Sequence, residues 1–203
     1  MRQVLVIVAL IIGFGTVATV FMARRGVANV VGSGQTFTEK SAVSTLRTLH
    51  WAQGDFRRAA FVDEDGDGIG EFGTVAQLTA TAPLPSGGKA PVPLIQIPGA
   101  EVRDGVLVAN GYCFRTELPA DPDGRERRFA AAAWPLLPSA GKKAFCLNQD
   151  EEIFESANEQ GWFGCEKGPP PGACPTAAMV DAGGSGWTRW RGKTSTRPVG
   201  HLD

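Results

Sequence analysis

Residues 35–61 read QTFTEKSAVSTLRTLHWAQGDFRRAAF, and the spacing of their apolar positions decides the fold class. Val43, Leu46, Leu49 or His50, Gln53, Phe56 and Ala60 recur at steps of three and four. In a helix of 3.6 residues per turn, such steps fall along one stripe. Thr38, Glu39, Arg47, Arg57 and Arg58 supply the polar face. A mostly apolar stripe has to be covered, so the segment is expected to lie as a helix on a sheet.

Upstream of it, Gly26 to Gly34 contains three glycines, which bend or interrupt a helix because glycine costs about 1 kcal/mol relative to alanine there. Before that, Val4 to Met22 is 19 residues without a charge, close to the ~20 needed to cross a hydrocarbon core. The run is long for a secretory signal and no A-x-A site follows it, so a retained anchor is expected. Val4, Ile7, Ile11, Phe14 and Phe21 are the positions expected to meet the membrane or neighbouring helices. The boundaries read from these shifts are an anchor over 1–25, an amphipathic helix over 26–62, a globular part over 63–160 and a Cys- and Pro-rich tail over 161–203.

Charge is unevenly placed. Three of the 20 basic residues, Arg2, Arg24 and Arg25, lie in the first 25 positions, which leaves 17 basic against 21 acidic residues beyond them. A mildly acidic body is a poor match to a phosphate backbone, so no nucleic-acid partner is expected. Cys113, Cys146, Cys165 and Cys174 are an even number without paired C-x-x-C spacing, which favours disulfides over zinc and places the body in an oxidising compartment. His50 and His201 are the two histidines, neither in a catalytic constellation. G-x-S-x-G, H-E-x-x-H and a phosphate-cradling glycine loop are all missing, so neither an enzyme nor a small-molecule substrate is expected.

Asp63-Glu-Asp-Gly-Asp-Gly-Ile-Gly-Glu71 is the most chemical stretch. Oxygen donors at alternate positions, with glycines allowing a tight turn, are what a hard cation such as calcium requires. Asp63, Asp65, Asp67 and Gly68 match the opening of an EF-hand loop, but Thr74 stands at the twelfth position where a bidentate Glu belongs. Glu71 can substitute as the closing carboxylate, with the Ile69 carbonyl as a further ligand. The other reading is a solvated acidic turn that ends the helix, and both stay open.

Phe72 to Leu78 reads as a short helix or turn, and Ala82 to Gly99 as a Pro-rich surface loop. Strand patterns follow: Val106 to Leu118, Arg127 to Trp134, Lys143 to Leu147, and a short fourth at Ile153 and Phe154. Gly/Pro/Asp turns between them predict a four-stranded antiparallel meander. In the tail, Cys165 and Cys174 bracket a segment that a disulfide can close, leaving Cys113 with Cys146. Those two sit on strands with one between them, which strains the ~6 Å Cα limit, and three connectivities remain open. Trp187, Arg189 and Trp190 form an aromatic-basic patch expected to tuck onto the domain.

The order of parts resembles type IV pilins and type II secretion pseudopilins. Ser44 to Phe56, the Asp/Gly run with Phe72-Gly-Thr-Val-Ala-Gln-Leu78, Gly111-Tyr-Cys-Phe114, Phe129 to Pro135, Gly141 to Asn148 and Glu152-Ile-Phe154 carry the likeness. It covers about residues 35–156 and, in outline, the anchor. The resemblance implies an α+β fold, with a long N-terminal helix (transmembrane plus amphipathic) packed on a four-stranded antiparallel sheet and a loop-rich tail behind it. It implies a bacterial structural subunit of a pilus or secretion filament, with the membrane and identical or related subunits as partners. The location implied is the inner membrane with the domain in the periplasm, or an extracellular filament. Major pseudopilins also bind calcium through a carboxylate loop, though elsewhere in their fold. The chain departs from the family's processing site: Gly13-Phe14 lies inside the apolar run, Ala18 stands where the helix glutamate would fall, and no acid precedes Glu39. Those departures leave a second expectation, a single-pass, calcium-stabilised extracytoplasmic binding domain that does not polymerise.

Overall fold

A computed structural model describes residues 37–192. The apolar run with Val4, Ile7, Ile11, Phe14 and Phe21, the expected anchor, lies outside the described residues. Among the described residues, no helix is long and apolar enough to cross a membrane. Helix α1 spans 37–58, and its stripe falls largely where the spacing puts it. Val43, Leu46, Leu49, Gln53 and Phe56 are all buried, joined by Ala42 and Ala52. Each fully buried Leu or Phe contributes about 1.5–3 kcal/mol of transfer free energy. Ala60 departs from the stripe. It sits past the helix end with φ 47°, exposed, where the chain turns out of the last helical turn. Arg47 departs from the polar face. It is buried, with its guanidinium 5.1 Å from the Trp190 ring centre and 4.0 Å from the Glu151 carboxylate.

The sheet corrects the expected fold. Among the described residues it has seven antiparallel strands in simple sequential order, not the four expected. These are β1 (Glu101–Arg103), β2 (Val106–Ala109), β3 (Tyr112–Glu117), β4 (Ala130–Pro135), β5 (Ala144–Asn148), β6 (Ile153–Ser156) and β7 (Thr188–Arg189). Two of the extra strands come from two-residue turns. Asn110-Gly111 (φ 51° and 79°) folds the expected strand 106–118 back on itself, pairing Ala109 with Tyr112. Asp104-Gly105 (φ 48° and 77°) does the same between Arg103 and Val106, adding β1. Both dipeptides adopt the positive φ angles that type I′ hairpin turns need. The third extra strand, β7, is the tail returning to the β6 edge. The expected strand from Arg127 begins later, because Pro122–Arg127 forms helix α3. Asp121 caps it by accepting from the Gly124 N–H, and proline takes the first turn, where its missing N–H costs nothing.

Both sheet faces are buried. Leu107, Tyr112, Phe114, Ala131, Ala133, Phe145 and Leu147 share one core with the α1 stripe. Cys113, Ala132, Trp134, Ala144, Cys146, Phe154 and Trp187 form a second core on the opposite face. Uninterrupted apolar runs such as 130–134 and 144–147 are the pattern of strands covered on both sides. What covers the second face is the tail. Two disulfides hold it there, Cys113–Cys165 and Cys146–Cys174, each with Cα atoms 5.4 Å apart. The pairing of Cys165 with Cys174 is thus corrected. Cys113 and Cys146 lie on β3 and β5 with β4 between them, so each bonds outward to the tail rather than across the sheet.

Polar contacts complete the attachment. The Trp134 indole N–H donates to the Gly164 carbonyl (2.7 Å), and the backbone at Gly168 lies so close that a Cβ there would stand 2.4 Å from the Trp134 ring. Arg115 donates to the Pro169 carbonyl, and Glu117 accepts from the Gly172 N–H at 2.8 Å. The aromatic-basic patch divides between the faces. Trp187 stacks on Trp162 with ring centres 6.0 Å apart, while Trp190 reaches α1. Between them, Arg189 donates to Glu152 and to Asp181 (3.0 Å). Hydrogen bonds from Arg189 hold both carboxyls below the usual carboxylate range. A carboxyl depressed in the folded state stabilises above its unfolded pKa and loses that contribution as pH falls through the folded value. Acidification from about pH 4 downward is therefore expected to loosen the tail. Tryptophan fluorescence should show a red shift there that Arg189→Gln abolishes; an unchanged acid transition in that variant would contradict the clamp.

Candidate functional site

The Asp/Gly loop, 63–71, begins one residue after a point where chain direction is already constrained. Val62 is buried, and its carbonyl accepts from the Glu71 N–H at 3.0 Å, so the loop closes on itself across its base. Just beyond, Gln53 of α1 grips the chain with both ends of its amide. It donates to the Gly73 carbonyl (2.6 Å) and accepts from the Gly73 N–H (2.8 Å) while fully buried. Any side chain at Gly73 would meet the Phe56 ring at 2.9 Å. Thr74 then starts the short helix α2 (Val75–Leu78) with a capping box to Gln77. Helix, loop and sheet are locked together at this corner.

Inside the loop, each aspartate folds the backbone onto itself. Asp63 accepts from the N–H groups of Gly66 (2.9 Å) and Gly68 (3.2 Å), Asp65 from Asp67 (3.3 Å), and Asp67 from Ile69 (2.7 Å). Gly66 and Gly68 carry φ angles of 74° and 86°, which side-chain-bearing residues adopt reluctantly. As a result, Asp63, Asp65 and Asp67 each place a carboxylate oxygen within 4.8 Å of the others. Glu71 goes elsewhere. It is buried, accepts from the Glu64 N–H at 2.9 Å, and lies 3.5 Å from the Arg125 guanidinium. The Ile69 side chain is exposed beside an open cleft of about 540 Å³ that His50, Arg57, Arg58, Phe72 and Phe129 also line. His50 Nε2 is 2.9 Å from the Gln149 carbonyl oxygen, and the Arg57 guanidinium lies 5.5 Å from the Phe72 ring centre.

Helix α3 supplies what the sequence reading does not contain. Its Arg125 carbonyl accepts from the Phe72 N–H (2.9 Å), and its Arg125 side chain pairs with both oxygens of Glu64, seating the helix over the loop. Those hydrogen bonds, donated to Glu64, raise the Arg125 pKa above its ordinary value. This docking brings Asp123 and Glu126 to the loop, where one oxygen each of Asp65, Asp123 and Glu126 lie within 4.8 Å of one another. Glu126 is buried, and burial first, then the charges of Asp67, Asp65 and Asp123, push its carboxyl above the usual range. Asp65 thus belongs to two acidic groups. Asp123 and Glu126 stand more than fifty residues along the chain, and only the turn signal at Pro119 to Gly124 marked their segment.

What such an arrangement offers chemically is a set of hard oxygen donors on a braced loop, next to a cleft of positive and aromatic character. Compared with protein-family models, with curated proteins and with solved structures, the chain matches none.

Proposed function

We propose that the chain is a structural subunit of a membrane-anchored filament of the type IV pilus or type II secretion kind, its described residues forming the domain displayed outside the membrane. The reading rests on the order of parts rather than on strand count. The observation that carries it is α1, whose apolar stripe is the spine of the first core and which follows, in sequence, a 19-residue uncharged run from Val4 to Met22. A helix rooted in a domain core transmits force and position from whatever precedes it. Two disulfides in the described residues favour an oxidising setting such as a periplasm or exterior.

A second reading has its own observation. Ala18 stands where the assembly glutamate of such subunits would fall, and no acid precedes Glu39. In a bilayer-like interior that carboxylate would offset a neighbouring subunit's amino terminus. Without it, the chain serves as a tethered domain that presents its surface singly.

Intact mass and N-terminal sequencing of the protein from its native membrane separate the two. A chain starting at Phe14 is expected for the filament subunit, and it should crosslink to copies of itself or related subunits. A chain starting at Met1 that yields no such crosslink would overturn the filament reading in favour of the tether.

A further inference from the structure

We propose that Asp65, Asp123 and Glu126 together hold a divalent hard cation of calcium's size, which fastens α3 to the Asp/Gly loop. The inference does not depend on the filament reading. It begins with Glu126, which is 4 % exposed and whose Oε1 has no hydrogen-bond partner. A buried carboxylate without a partner is expensive, and proteins offset that with a counter-charge or a metal. The cations nearest in the fold are already engaged. Arg125 pairs with Glu64 and lies against Glu71, and Arg127 donates to Asp123 at 3.0 Å. The charges that act on Glu126 are those of Asp67, Asp65 and Asp123, and against them a weaker one from Arg127, which is already paired with Asp123.

The spacing fits an ion. Calcium binds oxygens at about 2.3–2.6 Å, so donors on opposite sides of one ion lie about 4.6–5.2 Å apart, and closer when adjacent. One carboxylate oxygen each of Asp65, Asp123 and Glu126 falls within 4.8 Å of the other two. They arrive from two segments braced independently of any ion, through the Phe72–Arg125 backbone bond and the Arg125–Glu64 pair. Asp65 and Asp123 are exposed, so water can complete six to eight ligands on the open side. Asp63 and Asp67, which form a second group with Asp65, add negative charge. Magnesium demands near-ideal octahedral geometry at about 2.0–2.1 Å and gives up its waters reluctantly, so an open carboxylate set favours calcium.

The test is thermal unfolding and calorimetric titration of the full chain in detergent micelles, with calcium chloride, magnesium chloride or chelator. Calcium is expected to raise the melting temperature by several degrees and to bind with a stoichiometry of one, with magnesium giving a smaller shift. In Glu126→Gln, affinity should fall about ten-fold or more and the calcium-dependent shift should vanish. In chelator that variant should melt at or above the parent temperature, because one buried charge has been removed. Should Glu126→Gln fail to fold, Asp123→Asn at an exposed position reads the same loss. No calcium shift in the parent would overturn the site. So would a shift kept whole in both variants, and so would one abolished by Asp63→Asn yet untouched by Glu126→Gln, which would confine the ion to the loop.

Discussion

Removing the Cys113–Cys165 bridge as the double variant Cys113→Ser/Cys165→Ser is expected to destabilise the folded chain by about 4 kcal/mol. The figure comes from loop-closure entropy. A cross-link spanning 52 residues restricts the unfolded ensemble by about that much, and the 28-residue separation of Cys146–Cys174 gives about 3.5 kcal/mol. Each is a large share of the 5–15 kcal/mol that holds an ordinary domain together. The effect extends beyond entropy because both bonds join the second sheet face to the tail that covers it. With a bridge gone, Trp134 and Phe154, both fully buried, lose part of the covering that keeps water from them. Urea unfolding of each double variant against the parent measures the loss. Peptide mapping without reduction checks the pairing directly: linked peptides holding Cys113 with Cys146 would contradict the assignment.

Gln53→Ala should cost about 3–5 kcal/mol, the second large effect. The amide is fully buried and satisfies both backbone groups of Gly73. Truncation leaves a buried N–H and a buried carbonyl without partners, at about 1–3 kcal/mol each, and opens a cavity beside Phe56. The melting temperature is expected to fall by of order 10 °C. Gln53→Leu separates the two causes. It restores most of the volume but neither hydrogen bond, so it should recover only the cavity part of the loss. A Leu variant as stable as the parent would show that the Gly73 contacts contribute little. Because Gly73 follows the Asp/Gly loop directly, amide exchange in 63–73 should quicken in either variant.

These two sites differ in how far they could be read in advance. Gln53 was placed on the buried stripe by its spacing from Leu46, Leu49 and Phe56, since helical period is a local property written in consecutive residues. Why a polar residue belonged there was not visible, because its partner is a backbone that folds over it from the next segment. The cysteines show the opposite limit. Their number pointed to two bonds, yet the partners depend on which sheet face each strand residue occupies and on where the tail runs. Pairing by nearness in sequence chose Cys165 with Cys174 and failed for that reason.

The acidic site divides along the same line. Asp63, Asp65 and Asp67 converge because alternate positions in a glycine turn share one side, which spacing alone predicts. Glu71 had the right chemistry and position, but burial and the Arg125 guanidinium turn it inward. Asp123 and Glu126 reach the loop only through the docking of α3.

From the sequence alone came the α1 stripe, the apolar run before it, the acidic turn, an antiparallel meander and a disulfide count. All are set by local period, composition or short-range turn chemistry. The Asn110-Gly111 and Asp104-Gly105 dipeptides carry a local hairpin signal too, but the reading of 106–118 as one strand passed over it, and the strand count came out short. Tertiary structure alone decided the covering of the second sheet face by the tail, the cysteine partners, the burial of Arg47 beneath Trp190, and the meeting of Glu126 with Asp65. Each depends on contacts between segments far apart in the chain, whose free energy exists only once the rest of the fold has brought them together.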